Sequence, residues 1–367
     1  MEERVRTTEP QWSRYIHQKG ARLGLPIAGN FELTSRCNFQ CRMCYIHDQH
    51  NSDMSAEDWI AIGKSAVAHG MVFLLLTGGE PFLRPDFPKI YEAFYKMGLL
   101  ISINTNGSLI TDEQFDFLVK HPPTRMNISL YGCSDETYIR LCGIPAFEPV
   151  KKNILRLKKS GINVKLNASV TPYNSGEIEG IYTFGEEYGM PVQATTYMYP
   201  PVRINGCQYG CSPARFTAEE AAAYMLKCRE QYMTPEKLRK TTADLIDEDT
   251  DCVCAEEGEN MRCRAGRTAF WVTWDGRMLP CGMFPDEGYL IADMGFDAAW
   301  KAVRAYTQTI RMPKECTNCL DKKQCFACAA SVIAETGKST LRPDYICRMT
   351  KTLRNLTIEK YGKAEES

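Results

Sequence analysis

The sequence predicts an α/β fold: a partial (β/α)6 parallel barrel followed by a small cysteine-rich C-terminal domain. From Gly29 to Tyr199, short apolar segments alternate with helical patterns, which is typical of parallel strands joined by helices. The segment 71–77, MVFLLLT, is continuously apolar, as expected of a strand buried on both faces. After Tyr199 the alternation stops, and Pro, Gly and Cys become frequent. Ligands of such folds bind at the carboxyl ends of the strands, so the functional residues are expected there.

The chain divides into four predicted regions. They are an N-terminal lead-in at 1–28, the barrel at 29–205, a helical linker at 206–250 and the cysteine-rich domain at 251–367. The six strands are predicted at 31–35, 71–77, 99–105, 126–132, 162–171 and 191–199. Helices are predicted at 55–69, 87–97, 111–121, 134–141, 149–160 and 175–188, and one or two helices are predicted over 217–245. The first of these helices begins after Ser55, which acidic residues follow, a typical N-terminal pattern.

Composition narrows the class of protein. A chain of 367 residues with 44% hydrophobic residues can bury the cores of two domains. The net charge of −1 predicts neither a nucleic-acid partner nor binding to an anionic membrane. No apolar run reaches 18 residues, and the first 20 residues lack the apolar segment of a signal peptide. We therefore expect a cytoplasmic protein, whose 17 cysteines serve as metal ligands rather than as disulfides.

Three cysteines lie close together in the segment 34–45, TSRCNFQCRMCY. Cys37, Cys41 and Cys44 have the spacing C-x3-C-x2-C, with no fourth cysteine directly after them. A structural zinc ion takes four ligands, whereas a four-iron cluster held by three thiolates leaves one iron open to a small molecule. The spacing therefore favours an iron–sulfur cluster with an open iron.

This segment resembles the cluster loop of the radical S-adenosylmethionine (AdoMet, SAM) enzymes. The resemblance implies that Cys37, Cys41 and Cys44 hold a [4Fe–4S] cluster, whose open iron binds the amino and carboxylate groups of AdoMet. The reduced cluster of that family cleaves AdoMet to a 5′-deoxyadenosyl radical, which abstracts hydrogen from the substrate. The electron would come from a flavodoxin- or ferredoxin-like donor. Met43 stands where the family usually has an aromatic residue, and Tyr45 lies nearby.

Further positions match the AdoMet-binding pattern of this family. The motif that follows the second predicted strand consists of Gly78, Gly79, Glu80 and Pro81. Its glycines would let the backbone approach a ligand, and Glu80 would accept a hydrogen bond from an ammonium group. The other predicted AdoMet contacts follow the third and fourth strands and the next helix: Asn104, Asn106, Ser129 and Arg140.

The C-terminal cysteines resemble the SPASM extension of radical SAM enzymes, which holds two auxiliary [4Fe–4S] clusters. The resemblance assigns the outer cluster to Cys316, Cys319, Cys325 and Cys347. It assigns the inner cluster to Cys263, Cys281 and Cys328. The fourth inner ligand is Cys254 or Cys252, or else one iron stays open to substrate. The family usually has three residues between the last two cysteines of the group of four, and this chain has two.

Other cysteines and aromatic residues have weaker patterns. Two C-x2-C pairs also fit a zinc ribbon, although their position after a radical SAM core favours iron. The cysteines outside both motifs are Cys133, Cys142, Cys207, Cys211 and Cys228. Most of these are expected to be buried apolar residues, with Cys207 and Cys211 the better candidates for hydrogen donation to a substrate radical. Tyr197, Tyr199 and Arg203 could line the substrate cavity.

The resemblance implies an enzyme that modifies a peptide or protein substrate. Cross-linking or epimerisation of a ribosomally made peptide is the first hypothesis. Only some 28 residues precede the barrel, so recognition of a leader peptide is expected to need a separate protein or another surface. A non-catalytic iron–sulfur or zinc scaffold is the alternative outside enzymes.

Two other reactions remain as alternatives. Anaerobic sulfatase maturases, which oxidise a residue to formylglycine, have a similar length. Their proposed base is an aspartate directly after the cysteine that corresponds to Cys281, and here Gly282 stands at that position. Oxidation of a small-molecule alcohol is the third hypothesis.

Overall fold

The computed structural model describes most of the chain. The described residues are 11–45, 53–201, 210, 212, 214–246, 258–261, 263–285, 288–322 and 324–362. Among them lie Cys37, Cys41, Cys44 and every predicted AdoMet contact. Cys252, Cys254, Cys207, Cys211 and Arg203 lie outside them.

The first six strands confirm the predicted parallel array. They are β1 Ala28–Glu32, β2 Phe73–Thr77, β3 Leu100–Thr105, β4 Arg125–Ser129, β5 Val164–Ser169 and β6 Val192–Thr195. Neighbours along the chain pair in parallel from β1 to β6. β1 begins and ends three residues before the predicted segment 31–35. It ends at Glu32 because the residues that follow leave the sheet to form the cysteine loop. The other strands stop within the apolar runs that predicted them.

The helices connect the strands as predicted and continue into the C-terminal part. The barrel region contains α1 Gln11–Leu23, α2 Ala56–Ala68, α3 Phe87–Lys96, α4 Asp112–Lys120, α5 Asp135–Cys142, α6 Phe147–Lys159 and α7 Ile178–Glu187. The later helices are α8 Ala218–Tyr232, α9 Pro235–Ile246, α10 Ile291–Met294, α11 Phe296–Thr309, α12 Ala329–Thr336 and α13 Asp344–Tyr361. None of the described helices is long and apolar enough to cross a membrane.

The cysteine-rich part extends the sheet of the barrel, which the sequence did not indicate. Its strands are β7 Ala269–Val272, β8 Arg277–Leu279 and β9 Tyr289–Leu290. β7 pairs in parallel with β1, and β8 and β9 follow as antiparallel neighbours. The described strands thus form one sheet in the order β6-β5-β4-β3-β2-β1-β7-β8-β9. Phe270 of β7 packs against Phe31 of β1, with ring centroids 6.1 Å apart.

The two faces of the barrel sheet differ in polarity. Alternate residues of β3 to β5, such as Ile103, Ile128 and Leu166, are fully buried in the same apolar core as the helices. The opposite face, which we name the inner face, carries polar side chains on β3 to β6. They are Ser102, Asn104, Arg125, Asn127, Ser129, Lys165, Asn167, Ser169, Gln193 and Thr195. A polar face of this kind is suited to ligands and unsuited to a core.

Candidate functional site

The cysteine loop leaves β1 and is bound on one side by the turn that follows β2. The N–H of Gly79 donates to the carbonyl of Thr34 at 2.7 Å, and the N–H of Glu80 donates to the carbonyl of Arg36 at 2.8 Å. These bonds fix the backbone immediately before Cys37. The two predicted motifs, far apart in sequence, are therefore one unit in space.

The glycines of this turn are required by the cysteine loop itself. A Cβ on Gly79 would lie 2.1 Å from the carbonyl oxygen of Arg36, and one on Gly78 would lie 2.6 Å from that of Thr34. Both neighbours are backbone atoms, which cannot rotate away as a side chain can. Sequence reasoning expected the glycines to admit a ligand, and the structure shows that they admit the loop that carries the thiols.

On its other side the loop is bound to the C-terminal end of α5. The N–H groups of Gln40 and Arg42 donate to the carbonyls of Cys142 at 2.9 Å and Leu141 at 3.0 Å. The last carbonyls of a helix have no partner within the helix, so the loop satisfies them. The buried thiol of Cys142 also shares a hydrogen bond with that of Cys41, and this bond is the largest cause that raises the pKa of Cys41. Sequence analysis gave Cys142 no role beside the loop.

The three thiols of the loop are half-buried. Burial is the main cause that raises the pKa of Cys37 to about 12, and negative charge on Glu80, Cys41 and Cys44 raises it further. The N–H of Phe39 donates to the sulfur of Cys37 at 3.4 Å, and the amide of Asn106 does so at 3.8 Å. Such a group fits a cluster, because iron takes thiolates and its positive charge would offset their mutual repulsion.

Glu80 joins the ends of β2 and β3. It is fully buried, and its Oε1 accepts hydrogen bonds from the N–H of Phe82 at 3.1 Å and from the hydroxyl of Thr105 at 2.8 Å. Its Oε2 accepts from the N–H of Asn106 at 2.7 Å. Burial raises the pKa of Glu80 to about 7 in spite of these three donors. The carboxylate therefore accepts its hydrogen bonds from groups of the protein that lie beside the cysteine loop. Pro81 starts the short 3₁₀ turn that follows it.

The other predicted AdoMet contacts have different settings. Asn104 and Ser129 lie on the inner face, where Asn104 accepts a hydrogen bond from Asn127 at 2.8 Å. Asn106 donates to Asn38 at 2.8 Å and so holds the cysteine loop. Arg140 is exposed, and its guanidinium donates to Thr137 of its own helix at 3.1 Å. Asn104 and Ser129 thus lie on the polar inner face, whereas Asn106 binds the cysteine loop.

The four thiols of the predicted outer cluster are close to one another. Burial raises the pKa of Cys316 to about 11, and charges on Cys347, Cys325 and Cys319 add to this rise. All four line a cavity of about 580 Å³, together with Cys263 and Cys328. The hydroxyl of Thr350 donates to the sulfur of Cys325 at 3.7 Å.

One thiol of the predicted inner cluster contacts Tyr199, and the other two influence its pKa. The hydroxyl of Tyr199 lies 3.6 Å from the sulfur of Cys328. Burial, followed by the charges of Cys328, Cys281 and Cys263, raises the pKa of Tyr199 above its ordinary range. Sequence analysis named Tyr199 as a possible cavity residue and gave no sign that it contacts a thiol.

Tyr199 is held by a buried ionic group. Its ring packs edge-on against that of Tyr197, with centroids 4.9 Å apart. The hydroxyl of Tyr197 donates to Glu335 at 2.8 Å, and Arg215 forms an ion pair with the same carboxylate, also at 2.8 Å. Arg215 in turn lies 3.8 Å from the centre of the Tyr345 ring. The orientation of Tyr199 is thus fixed by its neighbours.

Among the described residues, no three Cys, His, Asp or Glu side chains converge closely enough to hold a single metal ion.

Comparison with known protein families finds a match for most of the parallel array. Residues 31–185 match the model of the Radical SAM superfamily. The match covers the cysteine loop, the turn after β2 and the strands β2 to β5.

Similarity to individual proteins extends beyond the radical SAM domain. An "AdoMet-dependent heme synthase" of Methanosarcina barkeri is 25% identical over 327 residues, which are 84% of this chain and 92% of that protein. A "PqqA peptide cyclase" of Rhizobium meliloti is 25% identical over 352 residues, 91% of this chain and 90% of that protein. The crystal structure of Streptococcus suis SuiB bound to its precursor peptide SuiA has a TM-score of 0.67 at 17% identity, covering 94% of this chain and 83% of SuiB. The fold of the described part is therefore shared over nearly its full length.

Replacing Gly79 with Ala tests the contact between the turn and the cysteine loop. We expect Gly79→Ala to displace Arg36 and to lower the iron content of the anaerobically reconstituted protein by up to about four irons per chain, as one [4Fe–4S] cluster would be lost. Gly176→Ala is the matched control, because nothing lies within 4 Å of a Cβ at that position. Equal iron content and equal rates of 5′-deoxyadenosine formation in both variants would contradict this role of the glycine.

The buried carboxyl of Glu80 predicts a pH dependence. The folded protein holds this proton up to about pH 7, whereas the group has an ordinary pKa of 4.5. The folded state thus binds more protons between these values, and the free energy of unfolding falls as pH rises, by at most about 1.4 kcal/mol per pH unit. Glu80→Gln removes this contribution, so urea denaturation from pH 5 to pH 7.5 should show the wild-type protein losing stability relative to the variant. Parallel pH profiles would show that Glu80 titrates normally.

Proposed function

We propose that this chain is a three-cluster radical SAM enzyme that reductively cleaves AdoMet and modifies a peptide. The observation that carries the proposal is the grouping of the thiols. One group lies on the loop fixed between the turn after β2 and the end of α5. The other two share the C-terminal cavity and the surroundings of Tyr199.

Each group of thiols has a proposed ligand role. Cys37, Cys41 and Cys44 would hold the cluster that binds AdoMet. Cys316, Cys319, Cys325 and Cys347 would hold the outer auxiliary cluster. Cys263, Cys281 and Cys328 would hold the inner one, and its fourth ligand, Cys254 or Cys252, lies outside the described residues. When bound, the reduced first cluster supplies the electron that cleaves AdoMet.

The residues of the chain position the cofactor and exclude water from it. Asn104 and Ser129 would contact AdoMet from the inner face, and the half-buried Cys37 sulfur is shielded by Asn106 and Phe39. Tight backbone contacts on both sides of the loop leave it little freedom to move. Preorganisation of this kind holds reacting groups in place without cost at the moment of reaction.

A peptide is the proposed substrate. The PqqA peptide cyclase matches 91% of this chain, and SuiB, which shares the fold, is bound to a precursor peptide in its crystal structure. The inner face also offers amide and hydroxyl groups along four strands, which suit a polar chain. A flavodoxin- or ferredoxin-like electron donor and a separate leader-binding protein are part of this proposal.

A small molecule is the second candidate substrate, because the heme synthase relative is matched over 92% of its length. We rank formylglycine formation lower, because Gly282 stands where the sulfatase maturases have their proposed aspartate base. A Cβ at that position would lie 2.7 Å from the ring of Trp271. An aspartate base could stand there only if the indole moved.

The proposal predicts which cysteines AdoMet cleavage needs. Cys37→Ala, Cys41→Ala and Cys44→Ala should each abolish formation of 5′-deoxyadenosine after reduction with dithionite, while the iron at the C-terminal sites is retained. Cys228→Ala is the control, since Cys228 is buried on α8 and belongs to none of the three groups of thiols, and it should cleave AdoMet at the wild-type rate. Retained cleavage in any of the loop variants would overturn the assignment.

Tyr199 is predicted to set the reduction potential of the inner cluster. A hydrogen bond to a cluster sulfur stabilises the reduced state, because that state carries more negative charge. Tyr199→Phe should therefore shift one auxiliary potential to a more negative value in an EPR-monitored redox titration. Tyr197→Phe keeps the ring that packs against Tyr199 and removes only the hydroxyl that binds Glu335, so it should leave this potential near the wild-type value. Identical potentials in all three proteins would count against the Tyr199 contact.

A further inference from the structure

Two cations lie side by side on the inner face, below the residues proposed for AdoMet. Arg125 is the first residue of β4 and Lys165 the second residue of β5. The register pairs Lys165 with Asn127, which lies two residues after Arg125 on the same face. Arg125 and Lys165 are therefore diagonal neighbours across two strands, a separation that long side chains can bridge.

The inner-face positions of β3 to β6 carry no acidic residue. Besides Leu100, eight of their side chains are amides or hydroxyls, and the other two are Arg125 and Lys165. The amine of Lys165 donates to the neutral Oε1 of Gln193. The buried Nε of Arg125 has no hydrogen-bond partner among the described residues. This part of the inner face thus has two positive charges and an unused donor.

This arrangement costs stability unless an anion binds. Burial lowers the pKa of Lys165, and the charge of Arg125 lowers it further. A half-buried ammonium beside a guanidinium is disfavoured both by desolvation and by repulsion. A buried donor without a partner carries a further penalty. An external anion would offset the desolvation and the repulsion by its attraction, and it would give the unpaired donor a partner.

We propose that Arg125 and Lys165 bind a carboxylate of the peptide substrate. The guanidinium can engage both carboxylate oxygens, and the ammonium adds a second charge. Arg125 lies four residues before Ser129 on β4, so the carboxylate would be about 13 Å from the proposed AdoMet contact at 3.3 Å per residue. In an extended peptide this span covers about four residues. The proposal rests on the peptide function above and names the chemistry by which that peptide is recognised.

Protection of the Lys165 amine from acylation tests this site. The full-length reconstituted protein would be treated with an N-hydroxysuccinimide ester, and the labelling rates of Lys165 and of the exposed Lys152 would be measured by peptide mapping. The probes are three blocked pentapeptides: pentaglutamate with an amidated C-terminus, pentaglutamine with an amidated C-terminus, and pentaglutamine with a free C-terminus. The first and third distinguish a side-chain carboxylate from a terminal one.

We expect at least one of the two carboxylate peptides to slow labelling of Lys165 severalfold without affecting Lys152, while the amidated pentaglutamine has no effect. Arg125→Gln should weaken this protection about tenfold in peptide concentration, as expected for loss of one charged contact. Arg125→Lys keeps the charge and should restore part of it. Equal protection by the uncharged peptide, or none by either carboxylate peptide, would overturn the proposal.

AdoMet cleavage by the same wild-type preparation separates this inference from the proposed function. A protein that forms 5′-deoxyadenosine but shows no protection of Lys165 lacks the carboxylate site and remains a radical SAM enzyme. A protein that is protected but does not cleave AdoMet has the site without the proposed reaction. Circular dichroism of Arg125→Gln confirms that a loss of protection does not come from unfolding.

Discussion

The contact between the turn after β2 and the backbone of the cysteine loop is the constraint on which the rest of the site depends. Two glycines allow this contact, because any side chain at Gly79 would collide with the carbonyl of Arg36. The same turn places Glu80 inside the protein, where it ties the end of β2 to that of β3. A short glycine motif thereby fixes both the position of three thiols and the top of the polar inner face.

The continuous sheet joins the radical SAM domain to the cysteine-rich region. β7 pairs directly with β1, the strand that leads into the cysteine loop. Tyr199 follows β6 at the other edge and reaches Cys328. Both β1, through its pairing with β7, and β6, through Tyr199, therefore connect the parallel array to the cysteine-rich region.

Sequence reasoning predicted the parallel array and the groups of thiols because strand alternation and cysteine spacing are local signals. It could not find the roles of Cys142, Asn106 and Tyr199, since each depends on a contact between distant segments. The shared sheet was missed for the same reason, because the short β7 has no sequence pattern that predicts which strand it pairs with. The closeness of Arg125 and Lys165 could not be predicted either, because it depends on the strand register and on the burial of both side chains.

Anaerobic quantification of iron and acid-labile sulfide in the reconstituted wild-type protein tests the central claim most directly. The account predicts about twelve irons and about twelve sulfides per chain, four of each for every cluster. About four irons, or zinc in place of iron, would contradict it, because the C-terminal thiols would then hold no auxiliary clusters.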